Sequence, residues 1–469
     1  MKSGENFSLH LDRRDFLGLL GAGAAGLWLG SLIGEEPAPG RKPNIIVIVS
    51  DDHGYADVGC NGCKEIPTPN LDSIARDGVR FTDGYVSCPV CSPTRAGLMT
   101  GRYQQRFGHE LNPGGNPAHG LPTKEITLAN LLKSAGYATG LVGKWHLGMT
   151  PELHPQKRGF DEFFGFLGGA HPYVESGIGT PNPIYRGTKQ VDEKEYLTDA
   201  FAREAVSFIE RHKGHPFLLC LTFNAVHAPL QATQKYLDRF PSITAQPRRT
   251  YAGMLSAMDD GVGAVLKKIK ESGLEKDTLI FFHSDNGGPP NNGSSNGPLR
   301  GYKGTVFEGG VRVPFLVKWP GRIPAGVVFK HPVISLDVLP TVVAAAGWRL
   351  PKDRPFDGVN LLPYLTGEKS SPPHDILFWR FRLPRAVRNG NWKLVSLAVG
   401  EPQLFDLSKD IGETTDLAKD RPEVVRELSQ ALARWESQLI PPLWAPAAQP
   451  RKRKRRVPAR ARAQFRLRR

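Results

Sequence analysis

Asn44-Ile45-Ile46-Val47-Ile48-Val49-Ser50 runs directly into Asp51-Asp52-His53-Gly54. An unbroken aliphatic run of this length, ended abruptly by acidic and turn residues, reads as a strand buried on both faces. Three more segments repeat the pattern. Ala138 to Gly143 runs into Lys144-Trp145-His146, Phe217 to Phe223 into Asn224-Ala225-Val226-His227, and Thr278 to Ser284 into Asp285-Asn286-Gly287-Gly288. Helical periodicity falls between them, over Leu128 to Ala135, Asp199 to His212 and Tyr251 to Ser272. Strand and helix in alternation predict an α/β fold, a large and mostly parallel sheet sandwiched by helices. Ligands of such sheets gather at the carboxyl ends of the strands, where all four polar clusters fall, so the clusters are expected to converge on one pocket.

Asp51, Asp52, Asp285 and Asn286 are four hard oxygen donors in two adjacent pairs. Neighbouring side chains at a strand end point apart, but a turn lets both reach one cation, and an all-oxygen set suits calcium or magnesium better than zinc. Either pair alone reads equally well as turn and cap residues.

The five cysteines are Cys60, Cys63, Cys88, Cys91 and Cys220. The first four form two C-x-x-C pairs, which resemble a four-thiolate zinc site with a gap longer than usual. Cys91 also opens Cys91-Ser92-Pro93-Thr94-Arg95, followed by Thr100-Gly101-Arg102. Here the sequence resembles the type I sulfatases of the alkaline phosphatase-like superfamily, over about Asn44 to Lys393. The resemblance implies that Cys91 is converted by a formylglycine-generating enzyme to formylglycine, whose hydrate supplies the nucleophilic hydroxyl. It assigns Asp51, Asp52, Asp285 and Asn286 as ligands of a calcium ion that also holds the group made from Cys91, with magnesium compatible. Arg95, Lys144, His146, His227 and Lys303 fall at the family's motif positions, Lys144 and His146 within Lys144-Trp145-His146-Leu147-Gly148 and Lys303 within Gly301-Tyr302-Lys303-Gly304.

A sulfate ester is anionic and its leaving oxygen gains charge as the S–O bond breaks, so the site needs fixed cations and a proton donor. In the implied mechanism Arg95 and the cation hold the hydrated formylglycine, and Asp285 helps to deprotonate its attacking hydroxyl. Lys144, Lys303 and the cation bind sulfate oxygens. His227, with Lys303, protonates the leaving alcohol. His146, bonded to the second hydroxyl, deprotonates it, and collapse to the aldehyde expels sulfate. Asn112 to Asn116 and Gly168 to Gly179, with His171, Tyr173 and Glu175, read as loops above the strand ends suited to substrate recognition.

Beyond a strand over Val311 to Trp319 and a helix over Leu336 to Ala346, the chain changes character. Ile376 to Trp379, Ala386 to Arg388 and Trp392 to Ser396 read as short strands, with a hairpin signal at Asn389-Gly390-Asn391. Another strand over Pro402 to Asp406 and an amphipathic helix over Arg421 to Leu439 follow, resembling the small antiparallel sheet plus helix that closes the sulfatase fold. The expected organisation is residues 1–41 as signal and linker, 42–365 as catalytic domain, 366–445 as antiparallel subdomain and 446–469 as a basic disordered tail.

The ends carry their own messages. Arg13-Arg14-Asp15-Phe16-Leu17 leads into a mildly apolar, Gly-diluted stretch up to Ile33, which reads as a twin-arginine export signal. The twin-arginine translocase is then a partner and the location is periplasmic or extracellular, with a membrane anchor if the signal stays uncleaved. The chain has 469 residues, 40% hydrophobic and 23% charged, which excludes collagen-like, wholly disordered and polytopic membrane classes. Its net charge of +15 includes eleven Lys and Arg after Pro450. The body is therefore only slightly basic, and no specific nucleic-acid partner is expected. The substrate class expected is a sulfated carbohydrate or an aryl sulfate. The rivals are a formylglycine-dependent phosphonate or phosphodiester hydrolase, and a zinc-stapled polyanion-binding protein.

Overall fold

A computed structural model of the protein describes residues 42–174 and 182–444. The Arg13-Arg14 signal, Glu175 and the basic tail lie outside the described residues. Ten strands form the main sheet: β1 (Asn44–Ser50), β2 (Val79–Phe81), β4 (Ala138–Lys144), β5 (Glu162–Phe166), β6 (Ile184–Arg186), β7 (Lys189–Val191), β8 (Phe217–Thr222), β9 (Thr278–Ser284), β10 (Phe315–Lys318) and β11 (Val327–Phe329). Their order is β11-β2-β10-β9-β1-β8-β4-β5-β6-β7. The centre, β9-β1-β8-β4-β5, is parallel, while β10 runs antiparallel to both its neighbours and β6 and β7 form an antiparallel margin.

Period-two geometry explains why the central strands read as continuous apolar runs. Ile45, Val47 and Val49 enter one core layer and Ile46 and Ile48 the other, as do Leu279 and Phe281 against Ile280 and Phe282. On the first face the sheet is covered by helices Cys91–Thr100, Leu128–Ser134 and Val338–Ala345. On the second it is covered by Pro69–Arg76, Leu197–His212 and Gln246–Glu271. Each aliphatic side chain buried in this way stabilises the fold by roughly 1.5–3 kcal/mol.

Some boundaries differ from the sequence expectation. The helix expected from Tyr251 starts at Gln246, because Pro247 occupies a first-turn position where its missing N–H costs nothing. The strand expected from Val311 starts only at Phe315, since Glu308–Val311 forms a helical turn. The helix expected from Leu336 begins at Val338, after the 3-10 turn Ser335–Asp337.

Short strands β3 (Gly84–Tyr85) and β12 (Val333–Ile334) pair with one another, and the chain ends in a four-stranded antiparallel sheet of β13 (Ile376–Arg380), β14 (Arg385–Asn389), β15 (Trp392–Ser396) and β16 (Gln403–Asp406). Asn389 pairs with Trp392, so Gly390-Asn391 is a two-residue hairpin with Gly390 at φ 55°. The amphipathic helix Pro422–Glu436 packs Leu428, Leu432 and Trp435 into the layer that also holds Leu394 and Leu404. Buried ion pairs fasten this small sheet to the body: Arg388 to Asp83 at 2.6 Å and Lys393 to Glu308 at 2.7 Å.

Candidate active site

Register aligns the carboxyl ends of the central strands. Ser50 lies opposite Ser284, and Thr222 lies opposite both Val49 and Gly143. The residues that follow these ends, Asp51, Asp52, Lys144, His146, His227, Asp285 and Asn286, therefore meet in one place. Asp52 takes φ 60° and His146 φ 58°. This left-handed backbone is uncommon for residues other than glycine, and at Asp52 it makes the turn that brings two successive carboxylates to one centre.

Cys91 is the first residue of the helix Cys91–Thr100 and is buried. One turn on, Arg95 donates from Nε (2.9 Å) and Nη2 (2.7 Å) to Asp285 Oδ2, and from Nη1 to the Lys144 carbonyl (3.1 Å). The Lys144 ammonium lies 2.5 Å from Asp51 Oδ2, with both side chains fully buried. Lys303 Nζ lies 2.6 Å from Asp52 Oδ1. The Lys303 loop needs Gly301 and Gly304, at φ 84° and 88°, and the Gly304 amide donates to the Pro89 carbonyl at 2.8 Å, just before Cys91. His227 Nε2 is 3.7 Å from Asp52 Oδ2, while its Nδ1 is 2.6 Å from the Ala228 carbonyl. With Nδ1–H engaged there, Nε2 is the nitrogen free to exchange a proton with a bound group. One ligand atom each from Asp51, Asp52, Cys91 and His227 lie within 4.8 Å of one another.

Two oxygens and a nitrogen in this centre, Asp51 Oδ1, Asn286 Oδ1 and His146 Nδ1, are buried without a hydrogen-bond partner. Buried polar atoms are nearly always satisfied, and unpartnered carboxylate and amide oxygens beside further carboxylates fit a hard divalent cation. Charge compensation here is dense. Burial would raise the Asp51 carboxyl, but Lys144, then His227, Arg95 and Lys303, hold it far below the usual range. Burial and the neighbouring Asp51 raise Asp285, opposed by Arg95. Burial, then Lys144 and Arg95, push His146 well below its ordinary value, so it stays a neutral base. Burial also raises the Cys91 thiol, against Lys144 and Lys303, which makes an unmodified thiolate unfavourable here.

The residues anticipated for catalysis and metal binding thus come together. Others escaped the sequence. The Ser92 hydroxyl donates to the His146 carbonyl at 2.6 Å and lies 2.7 Å from His109 Nε2, and its amide donates to Asn112 Oδ1 at 3.1 Å. Thr222 Oγ1 donates to the Lys144 carbonyl at 2.8 Å. Ser92 sat inside the cysteine motif and could have been singled out, whereas His109 had no local signal. Tyr173 and His171 do not line an open loop: both are buried, and the Tyr173 hydroxyl donates to the carbonyls of Asn224 (2.6 Å) and His227 (2.9 Å), supporting His227 from below the surface.

The four-thiolate zinc reading is overturned. Cys60 and Cys63 pack against one core layer and Cys88 is buried in the other, so the sheet separates the pairs. Burial and the nearby Asp72 push the Cys60 thiol up to about 12. Among the described residues the only group of three or more His, Cys, Asp and Glu close enough to share an ion is the one at Asp51.

The family described as Sulfatase matches residues 43–348, and the one described as N-sulphoglucosamine sulphohydrolase, C-terminal, matches residues 302–438. The N-acetylgalactosamine-6-sulfatase of Mus musculus is 37% identical over 393 residues, covering 78% of this chain and 73% of its own. Arylsulfatase A of Bos taurus is 36% identical over 462 residues, 85% of this chain and 88% of its own. Among solved structures, Ps i-CgsB in complex with k-i-k-neocarrahexaose superposes with a TM-score of 0.82 at 40% identity, over 86% of this chain and 95% of that one.

Proposed function

The chain belongs to the sulfatase family and is a hydrolase of sulfate esters, and from that premise we propose that it is an exported carbohydrate sulfatase whose nucleophile is formylglycine made from Cys91. The observation that carries the reading is the convergence of Cys91, Arg95, Lys144, Lys303, His146 and His227 around four hard oxygen donors. The similarity to an N-acetylgalactosamine-6-sulfatase and to a protein solved in complex with k-i-k-neocarrahexaose supports a sulfated carbohydrate as substrate. The Arg13-Arg14 motif supports export.

Asp51, Asp52, Asp285 and Asn286 would hold a calcium ion, with magnesium compatible, and the unpartnered oxygens of Asp51 and Asn286 fit it. When in place, the cation supplies fixed positive charge and the hydrated formylglycine supplies a hydroxyl nucleophile. The protein's own groups do the rest. Lys144 and Lys303 present ammonium groups to the sulfate oxygens, and Arg95 locks Asp285 through two charge-assisted hydrogen bonds. His227, held through Nδ1 by the Ala228 carbonyl, directs Nε2 to the leaving oxygen as proton donor, with Asp52 Oδ2 3.7 Å away. His146, kept neutral by burial and two cations, is the base that regenerates the resting site.

The test is sulfate release from a sulfated oligosaccharide and from 4-nitrophenyl sulfate, by protein co-produced with a formylglycine-generating enzyme. The peptide containing Cys91 should carry an aldehyde by mass spectrometry, Cys91→Ala should abolish turnover, and chelation should inactivate the enzyme with recovery on adding calcium. A Cys91→Ala variant retaining most activity overturns the reading. Phosphate or phosphonate release in place of sulfate would move the chain to the phosphonate hydrolase branch.

A further inference from the structure

Beside the candidate active site lies a second concave surface that hydrolysis itself leaves unused. It is a groove of about 540 Å³ lined by Glu110, Leu111, Arg382, Leu383, Leu443 and Trp444. Short links join it to the reacting centre. His109 and Asn112, which flank Glu110 and Leu111, both hold Ser92, the residue after Cys91. The Trp444 indole N–H donates to the Asn112 carbonyl at 3.2 Å, and the ring stacks on His119 with centroids 4.8 Å apart.

The charge of the groove is set by Arg382. Glu110 is neutralised by Arg380, at 3.0 and 2.5 Å, and Arg385 pairs with Glu436 at 2.9 Å. Arg382 is exposed and pairs with no carboxylate among the described residues. It takes φ 60° in the tight turn between β13 and β14, closed by the Phe381 amide on the Pro384 carbonyl at 3.0 Å. A strained residue of this kind persists only where its surroundings hold it, and such strain clusters at binding sites. Leu383 and Leu443 are 65% and 54% exposed, so two large apolar side chains wall a groove whose net charge is positive. Apolar walls beside a guanidinium that lies over the Phe381 ring and has no carboxylate partner among the described residues match a molecule that alternates C–H faces with anionic groups. The chain as a whole is basic, with a net charge of +15, which favours a polyanionic occupant.

We propose that this groove, with Arg382 as its anion contact, binds the body of a sulfated oligosaccharide whose sulfate ester is cleaved beside Cys91. The proposal rests on the carbohydrate sulfatase reading, and its test keeps the two separable. The quantity to measure is the ratio of kcat/KM for a sulfated hexasaccharide to that for 4-nitrophenyl sulfate, a substrate too small to reach the groove. Arg382→Asn tolerates the left-handed backbone and removes the charge, and Leu383→Ser alters an exposed wall. Both should lower the ratio by about three- to tenfold, carried by KM. The deficit of the Arg382 variant should shrink in about 0.5 M NaCl, where exposed charges are screened. Sulfate release from both substrates, with the ratio within about twofold of wild type in both variants, overturns the groove alone. No sulfate from either substrate with aldehyde-bearing wild type overturns the sulfatase reading and the groove with it.

Discussion

Asp52 carries more of this site than its ordinary place after a strand suggests. Its left-handed backbone costs on the order of 1–3 kcal/mol, and the turn aims its carboxylate at the centre Asp51 already faces. Its oxygens then meet Lys303 at 2.6 Å, His227 at 3.7 Å and the Asn286 amide at 2.7 Å. Lys303 is consequently the cation least committed to holding the fold, because it is partly exposed and belongs to a loop rather than to the sheet. Replacing it with Ala should lower kcat by about 100- to 1000-fold, in line with loss of one transition-state donor, while the melting temperature stays close to wild type. Steady-state kinetics with calorimetry checks both halves. At this scale the sequence was informative, since each residue anticipated for catalysis or metal binding is present at the centre. It placed Tyr173 in an open recognition loop, whereas Tyr173 is buried beneath His227, an outcome that depends on how a distant loop folds back.

Among the elements, the helix Cys91–Thr100 matters most, since every one of its residues is buried and its first turn presents Cys91 to the centre. No side chain caps its N-terminus. Ser92 instead anchors that turn to Asn112, His109 and the His146 carbonyl, so two other segments of the chain fix the nucleophile's position. Burial pushes His109 down to about 3, so it is neutral in the folded protein, while the unfolded chain protonates it below about 6.5. The unfolded state then binds more protons, and stability is present above pH 6.5 and lost as the pH falls towards 3, by up to about 1.4 kcal/mol per pH unit. His109→Gln should lack this contribution and lose about 2 kcal/mol less than wild type between pH 6.5 and 5 in urea unfolding. The four central strands were legible to within a residue because burial on both faces leaves an unmistakable apolar run. Helix starts were less so: Gln246 and Val338 are set by a first-turn proline and a preceding 3-10 turn, whose signals are weak beside the apolar periodicity.

Over the whole molecule, a buried charge cluster fastens the C-terminal sheet to the body. Lys393 of β15 lies 2.7 Å from Glu308 and 3.0 Å from Glu413, all three side chains fully buried, and Arg388 of β14 reaches Asp83 beside β3. Removing one member leaves buried charges uncompensated, so Lys393→Met should destabilise the protein by about 3–5 kcal/mol and lower its melting temperature. Scanning calorimetry measures this directly, and a variant as stable as wild type would mean that the cluster is not what holds the small sheet. The sequence by itself determined the four central strands of the sheet, their two-faced burial and the identity of the polar clusters, because those depend on local periodicity and on where apolar runs stop. Only the tertiary structure decided which clusters share a centre, that Cys60 and Cys63 are separated from Cys88 by the sheet, and that Trp444 and Arg382 come to lie beside Glu110 and Leu111. Those outcomes depend on strand order and on chain segments returning from hundreds of residues away, which no local pattern encodes.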